Sequence, residues 1–581
     1  MFARLFEGVS QQEGTMGVDW AGPVAAVTRR DFLRLVSAGV LANVLSGCRH
    51  LPSPGACSLS HPIIDVHCHF FNAADVPVDG LVRYVALREK IPEKRLSSNA
   101  QEAKGLENAL VVFLVTALGD VAPKARHELA VLRKRERRLS DTELARRKDE
   151  QLRVAIRDLV ARANEQRSTF SRRSFGESPD YDGLLRQLGG TSNVPQTFQR
   201  RLDQRRSGGG MSDEEVDTLA NNAKAHDQIG TYLSFVRLMQ DYRENLAEAY
   251  VKIFASKCRL SLITPSILDF DKSLHGTSSP QRDQIDVMDE VQQIVTRKHG
   301  IRMHSFVGFD PHRETQRPGS SLANVQYAIM EKGFIGVKIY PPMGFKAWGN
   351  ANPAIDAALK RLYVWCRDND VPIMAHAENS IGAGCGYGNL ASPAYWKKLL
   401  DTNQYDKLRI NLAHFGAFDE ILRPGAPTGV MVSCPQDKFS GPPSWEEIIG
   451  RTIDHERRPN LFADLSYLSE LVSSDDKTLH AEIRQLLDKW LAAYDPDARH
   501  LMFGTDWSMM ALEKDYNAYV SRIAEQLTLA SVSDEHQQNI LWRNASRFLC
   551  LDRPGKTRDR LMAYCRKRGL DSTWLADLAI A

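Results

Sequence analysis

The sequence predicts an α/β chain built on a (β/α)8 barrel, with a large, mainly helical insertion between strands 1 and 2. Three observations carry that prediction. Eight short, near-continuous apolar runs alternate with segments of helical pattern, the signature of a parallel sheet covered by helices. Helix starts between them carry their own punctuation. Finally, histidines, a lysine and an aspartate fall at or near the C-terminal ends of the runs, where barrels of this kind assemble a site from several strands.

The first run is "IIDVHCHFF", within residues 60–72. Side chains of an extended strand alternate between faces, so His67 and His69 point the same way and Cys68 the other. Seven further runs follow: "RLSLITPSILDF" (259–270), "MHSFVGFDPHR" (303–313), "GFIGVKIYPP" (333–342), "VPIMAHAEN" (371–379), "LRINLAHFG" (408–416), "NLFADLSYLS" (460–469) and "HLMFGTDWSMM" (500–510). Ser392-Pro393 before "AYWKKLL" reads as an N-cap followed by proline at the first helical position. The remainder of the barrel is assigned to residues 258–552 and a C-terminal helical tail to 553–581.

The N-terminus carries a separate instruction. "TRRDFLRL" (28–35) leads into the weakly apolar "VSAGVLANVL", which resembles a twin-arginine export signal, and "LSGC" (45–48) resembles a lipoprotein cleavage box. Residues 1–47 are therefore set apart as an export signal of lipoprotein-like type, with Cys48 as a lipid anchor and an exported location, periplasmic or membrane-anchored, in a bacterium. Arg29 lies far from Met1, which leaves Met16 as an alternative start. No apolar run reaches the roughly 18 to 20 residues of a membrane span.

Composition narrows the class. With 581 residues, 43% hydrophobic and 25% charged, the chain is neither disordered nor fibrous, and a formal charge of +3 gives no global signal for nucleic acid. Nine cysteines are scattered singly without C-x-x-C spacing, which points away from a zinc knuckle or a dense disulfide framework.

The insertion, residues 73–257, far exceeds the usual loop of about two to six residues plus one helix. "YLSFVRLMQDYRENLAEAYVKIF" (232–254) places Tyr232, Phe235, Val236, Met239, Leu246 and Ile253 on one helical face. "SGGGMSDEEVDTL" breaks one helix and starts another, with Ser212 and Glu215 as a capping box. Residues 121–210 hold 21 Lys plus Arg against 12 Asp plus Glu. Such a run is usually a solvated helical face, and the competing reading is an anionic partner.

Imidazole is the commonest nitrogen ligand for zinc and related ions, so His67 and His69 read as half of a metal centre completed from strands five and eight. A metal with an open position acidifies its bound water and polarises a carbonyl. Asp506 is placed to accept a proton from that water and deliver it to a leaving group, and His414 to stabilise a developing oxyanion. The aromatics Phe70, Phe71, Tyr340, Phe345, Trp348, Tyr387 and Trp507 follow the strands and could line a pocket or simply pack loops. Of these Tyr340, Trp348 and Trp507 are taken as substrate-binding candidates, with Arg313 as a carboxylate clamp whose alternative is a plain surface arginine. The loop "GAGCGYG" (382–388) lacks the lysine and spacing of a phosphate cradle.

At these residues the sequence resembles the amidohydrolase superfamily, and more closely its family 2 of metal-dependent hydrolases and decarboxylases. The resemblance rests on "DVHCHFF", on the order His-x-His, Lys, His, His, Asp, and on the closing "NILWRNASRFLCL". It implies one divalent metal, zinc as the expected ion, held by His67, His69, His376 and Asp506, with His414 as an acid-base or charge-stabilising group. Lys338 keeps two readings: a carbamylated bridge to a second metal, as in some relatives, or a substrate-binding group. The implied activity is hydrolysis of an amide, ester or lactone of a small molecule through an activated water. Non-oxidative decarboxylation is the alternative, and a non-catalytic exported binding protein the second. Small-molecule substrate, no nucleic acid, and a homodimer complete the expectations for partners.

Overall fold

A computed structural model describes residues 61–82, 98–169, 179–189, 211–255, 259–378, 382–418 apart from 385 and 403, 443–454, 458–530 and 532–579. The signal-like stretch, Cys48 and the "SGGG" break lie outside the described residues.

Among the described residues, nine strands form one parallel sheet: β1 (Ile63–His69), β2 (Leu260–Ser266), β3 (Arg302–Met303), β4 (Phe306–Gly308), β5 (Gly336–Ile339), β6 (Ile373–His376), β7 (Ile410–Ala413), β8 (Leu461–Asp464) and β9 (Leu501–Met502). Their order is β1-β2-β4-β5-β6-β7-β8-β9, with the two-residue β3 paired to β2 ahead of β4. All eight runs read from the sequence contribute to this ring. The two ends meet at β1: Val66 N donates to Phe503 O at 3.2 Å, Thr505 N and Asp506 N donate to His67 O at 3.1 and 2.7 Å, and Cys68 forms a parallel bridge with Trp507. The chain is thus the (β/α)8 barrel that the sequence predicts.

Apart from the starts of β2 and β3 the strands are buried, because helices cover them. Ile64, Val66, Leu262, Phe306, Met374, Phe462 and Met502 share one core cluster with Phe548, Leu549 and Leu551, so the closing segment seals the barrel by apolar packing. Ser392 caps Pro393–Leu400 by accepting from Ala394 N at 3.3 Å, as its Ser-Pro signature predicts.

Contacts divide the chain into two compact units. One comprises residues 118–148 and 235–579 together with 61–82, and contains the barrel; the other comprises described residues within 98–117 and 149–234. In the smaller unit Ser212 and Glu215 form the expected capping box: Ser212 N donates to Glu215 Oε2 at 2.9 Å and Glu215 N to Ser212 Oγ at 3.3 Å. Tyr232–Phe254 is not one helix. The chain runs as Asp227–Met239, Arg243–Tyr250 and a wider turn Val251–Ala255, because Tyr242 is extended at the second start and Asp241 is drawn into an ion pair with Lys148 at 2.5 Å. Many cations of the basic stretch are paired: Arg137 with Glu143, Arg153 with Asp217, Arg157 with Asp213 and Arg162 with Asp158. Those residues form the salt-bridged, solvated face that such a run usually makes. Among the described residues no helix is long and apolar enough to cross a membrane, and Cys68, Cys366, Cys550 and Cys565 are buried free thiols.

Candidate metal centre and active site

Strict alternation along β1 would put Asp65 on the face of His67 and His69. The pairing with β2 instead slips between Asp65 and Cys68, and a bulge of this kind re-aims the side chains beyond it. Asp65 is consequently spent on support. It accepts from Tyr250 Oη at 2.6 Å, Thr505 Oγ1 at 2.6 Å, Thr505 N at 3.1 Å and His67 N at 3.1 Å. Burial pushes its carboxyl up to about 7 despite those bonds. One buried side chain therefore ties the strand carrying His67 to the segment carrying Asp506.

His67 and His69 both turn Nε2 toward Asp506 Oδ1, at 3.5 and 3.2 Å. Their outer nitrogens are fixed. His69 Nδ1 donates to Ser266 O at 3.2 Å, since a carbonyl only accepts. His67 Nδ1 lies 2.8 Å from Ser466 Oγ and 3.4 Å from Asp464 Oδ1, while Lys338 Nζ donates to His67 Nε2 at 2.9 Å. That ammonium shows that the inner nitrogen of His67 is an acceptor for a cation. Burial, then the Lys338 charge, hold His67 uncharged with its pKa near 3.

His376 ends β6 and His414 begins the turn after β7. Their rings are 4.6 Å apart, and His414 is 4.8 Å from His67, centroid to centroid. The ligand-type atoms form two buried groups that share His414: His67, His414 and Asp506, and His376, Glu378 and His414. Burial holds the His414 imidazole below its ordinary value. Asp506 is pulled well below the carboxylate range: burial opposes ionisation, but the neighbouring His69, His67 and His414 outweigh it. His414 and Asp506 both have positive φ, 72° and 54°. Side chains bearing Cβ rarely adopt that conformation, and functional sites are where such strain collects.

Lys338, on β5, is fully buried, and burial lowers its ammonium to about 8. Besides His67, it approaches Met374 Sδ at 3.3 Å. Tyr340 stacks on His376 with centroids 4.1 Å apart and meets Phe270 edge-on at 5.2 Å, so it walls the site. Trp348 is half-buried in the loop after it. The other two substrate candidates are committed elsewhere. Arg313 holds Asp269 through two bonds, at 2.8 and 2.6 Å, and reaches Asp271 at 3.1 Å, which removes it as a free carboxylate clamp. Trp507 packs among Tyr250, Phe254 and Tyr516, 1% exposed, because its backbone pairs with Cys68 at the barrel seam.

Sequence reasoning missed Asp464, Ser466 and Glu378. Asp464 ends β8, fully buried, and accepts from Asn411 Nδ2 at 2.6 Å and from the backbone N–H groups of His414 and Ser466 at 3.1 Å each. Burial opposes its charge, but His67, His414 and Ser466 hold it ionised far below the usual range. Ser466 Oγ touches His67 Nδ1 and, at 3.1 Å, His414 Nδ1. Two signals pointed to these residues: Asp464 closes an apolar run as the other site residues do, and Glu378 stands two positions after His376.

A parallel barrel with histidines and carboxylates gathered at one rim defines a class, and the comparisons narrow it. Residues 295–551 match the family model described as amidohydrolase. That stretch, which contains Lys338, His376, His414 and Asp506, is similar to the amidohydrolase family. No curated protein matches the chain. Solved structures similar to it include an amidohydrolase from Burkholderia multivorans with bound zinc, 15% identical, covering 52% of this chain and 87% of its own, TM-score 0.33. Others are a 2,6-dihydroxybenzoate decarboxylase from Rhizobium (15%, 54% and 93%, TM-score 0.34) and a 4-oxalomesaconate hydratase from Rhodopseudomonas palustris (16%, 56% and 85%, TM-score 0.32).

Proposed function

We propose that this protein is a metal-dependent hydrolase that cleaves an amide, ester or lactone bond of a small molecule. The observation that carries the reading is the buried gathering of His67, His69 and His414 around the ionised carboxylate of Asp506, with His376 beside His414. Imidazoles beside a carboxylate are the donor set that zinc and similar ions take. A divalent metal held by His67, His69, His376 and Asp506, zinc as the expected ion, supplies Lewis acidity and a water acidic enough to react near neutral pH.

The chain's own groups do the rest. Asp506 is ionised and stands 3.2 Å from His69, so it can accept the proton of the attacking water and return it to the leaving atom. His414, neutral because it is buried, offers a ring nitrogen to the oxygen that gains charge as the carbonyl is attacked. Tyr340 shields one side. Lys338 supplies a cation at the floor, and its amine form, reachable near pH 8, is the form that carbamylation would require. Export and a lipid anchor at Cys48 belong to the same reading and rest on Arg29, Arg30 and the cleavage-box resemblance.

The test is product analysis on protein stripped with chelator and reloaded with zinc or manganese, against esters, lactones, amides and aryl carboxylates. Release of acid with alcohol or amine, restored by metal, is expected. Carbon dioxide as the product would replace hydrolysis by decarboxylation.

A further inference from the structure

Lys338 and a metal at His67 claim the same atom. Lys338 Nζ donates to His67 Nε2 at 2.9 Å and approaches Met374 Sδ at 3.3 Å. His67 Nδ1 is engaged by Ser466 Oγ at 2.8 Å, whereas Nε2 is the nitrogen that His67 turns toward Asp506, as His69 does. An imidazole nitrogen offers one lone pair, which cannot serve an ammonium and a metal together. With a metal on Nε2 the Lys338 charge needs another partner, and at 2% exposed it does not find bulk water.

The described residues offer such a partner. At the ends of β2, β4 and β5 lies a small cavity with room for about one water-sized group, and Lys338 and Asp310 both line it. Lys338 is the register partner of Gly308, the last residue of β4, and Asp310 stands two residues further on. Asp310 spends one oxygen on the fold: Oδ1 accepts from His312 N at 2.8 Å and caps the turn Pro311–Gln316. Asparagine or serine would cap as well. Its Oδ2 has no hydrogen-bond partner among the described residues, although Asp310 is only 2% exposed, and a buried acceptor without a donor is disfavoured. The neighbouring Asp269 is already taken, since both its oxygens receive Arg313.

We propose that Asp310 is a positioning residue for the metal centre: when a divalent metal takes His67 Nε2, the Lys338 ammonium moves into this cavity and pairs with Asp310 Oδ2. An ammonium is a compact charge on a flexible four-carbon stem, so rotation of the side chain suffices. Both partners gain. The ammonium leaves the neighbourhood of a divalent cation, and Asp310, whose carboxyl is pushed up to about 7 by burial and then by Asp269, receives a cation that favours its ionised form. Capping and reception together account for both oxygens of Asp310. The proposal rests on the reading of His67 as a metal ligand, and not on the reaction that the metal serves.

A double-mutant cycle on zinc affinity tests it, with the full chain titrated against a chelator of known affinity at pH 7.5. Asp310→Asn keeps the capping oxygen and removes the charge that receives Lys338, so zinc affinity is expected to fall at least tenfold. Lys338→Met removes the competitor and is expected to bind zinc at least as tightly as wild type. In that background Asp310→Asn is expected to change zinc affinity less than twofold, because no ammonium is left to receive. A crystal structure of the zinc-loaded wild type is expected to show Lys338 Nζ hydrogen-bonded to Asp310 Oδ2. Asp310→Asn within twofold of wild type, an equal loss in the Lys338→Met background, weaker zinc binding by Lys338→Met, or a Lys338 that stays on His67 or carries a carbamate overturns the proposal. A wild type that takes up no zinc overturns the metal reading with it, whereas zinc uptake unaffected by Asp310→Asn overturns this proposal alone.

Discussion

Replacing Asp464 by asparagine separates the support of the metal centre from the stability of the barrel. The carboxylate accepts from Asn411 Nδ2, His414 N, Ser466 N and His67 Nδ1. An asparagine oxygen placed at Oδ1 keeps both backbone bonds, leaving its NH2 opposite Asn411 Nδ2. Asn411 Oδ1 has no hydrogen-bond partner among the described residues, so a flip of the Asn411 amide turns that clash into a bond. The expected loss of stability is therefore only about 1 kcal/mol, the net value of one exchanged hydrogen bond. The electrostatic loss is larger. Without the negative charge, His67 Nδ1–H is no longer favoured, and removal of such outer partners typically weakens metal affinity about 10- to 100-fold, or roughly 1.4 to 2.7 kcal/mol. Competition against a chelator of known affinity measures the second quantity, and urea unfolding of the metal-free protein the first. A folded Asp464→Asn protein with metal affinity within twofold of wild type would refute the reasoning.

Further outcomes follow from other buried charges. Arg243 is fully buried between Asp75 and Glu128, bonded to both; Arg243→Met is expected to cost about 3 to 5 kcal/mol by stranding two carboxyls, and urea midpoints at pH 7.5 equal to wild type would contradict it. His304 is buried on Gly333 O at 2.8 Å, and burial lowers its pKa to about 4. The unfolded imidazole titrates near 6.5, so its contribution is intact above that pH and is lost as pH falls toward 4, by up to about 3 kcal/mol. His304→Gln should flatten the stability profile over that interval, and an unchanged slope would argue against it. Tyr340→Leu removes the ring that stacks on His376 and is expected to raise KM more than it lowers kcat, with metal content unchanged on elemental analysis.

Much of the barrel was legible because burial on both faces leaves an unmistakable mark: eight apolar runs, each ending in a polar residue. The Ser392 cap and the Ser212–Glu215 box were legible because local hydrogen bonding needs only neighbours in sequence. What the sequence hid depends on distant partners. The bulge that separates Asp65 from His67 is set by pairing with β2, which follows the whole insertion. The break at Gln240–Tyr242 depends on an ion pair with Lys148. Arg313 carries the same letters whether it clamps a substrate or Asp269, and only the fold brings Asp269 and Asp271 to it. Asp464 and Ser466 escaped notice because they act through histidines contributed by other strands.

The central claim is that His67, His69, His376 and Asp506 hold a divalent metal. Elemental analysis of protein purified without chelator, beside His67→Ala and Asp506→Ala, tests it most directly. About one tightly held divalent ion per chain in wild type, lost from both variants while their folds persist, is the predicted result. A well-folded wild type with no metal, and none taken up from added zinc or manganese, would contradict the account.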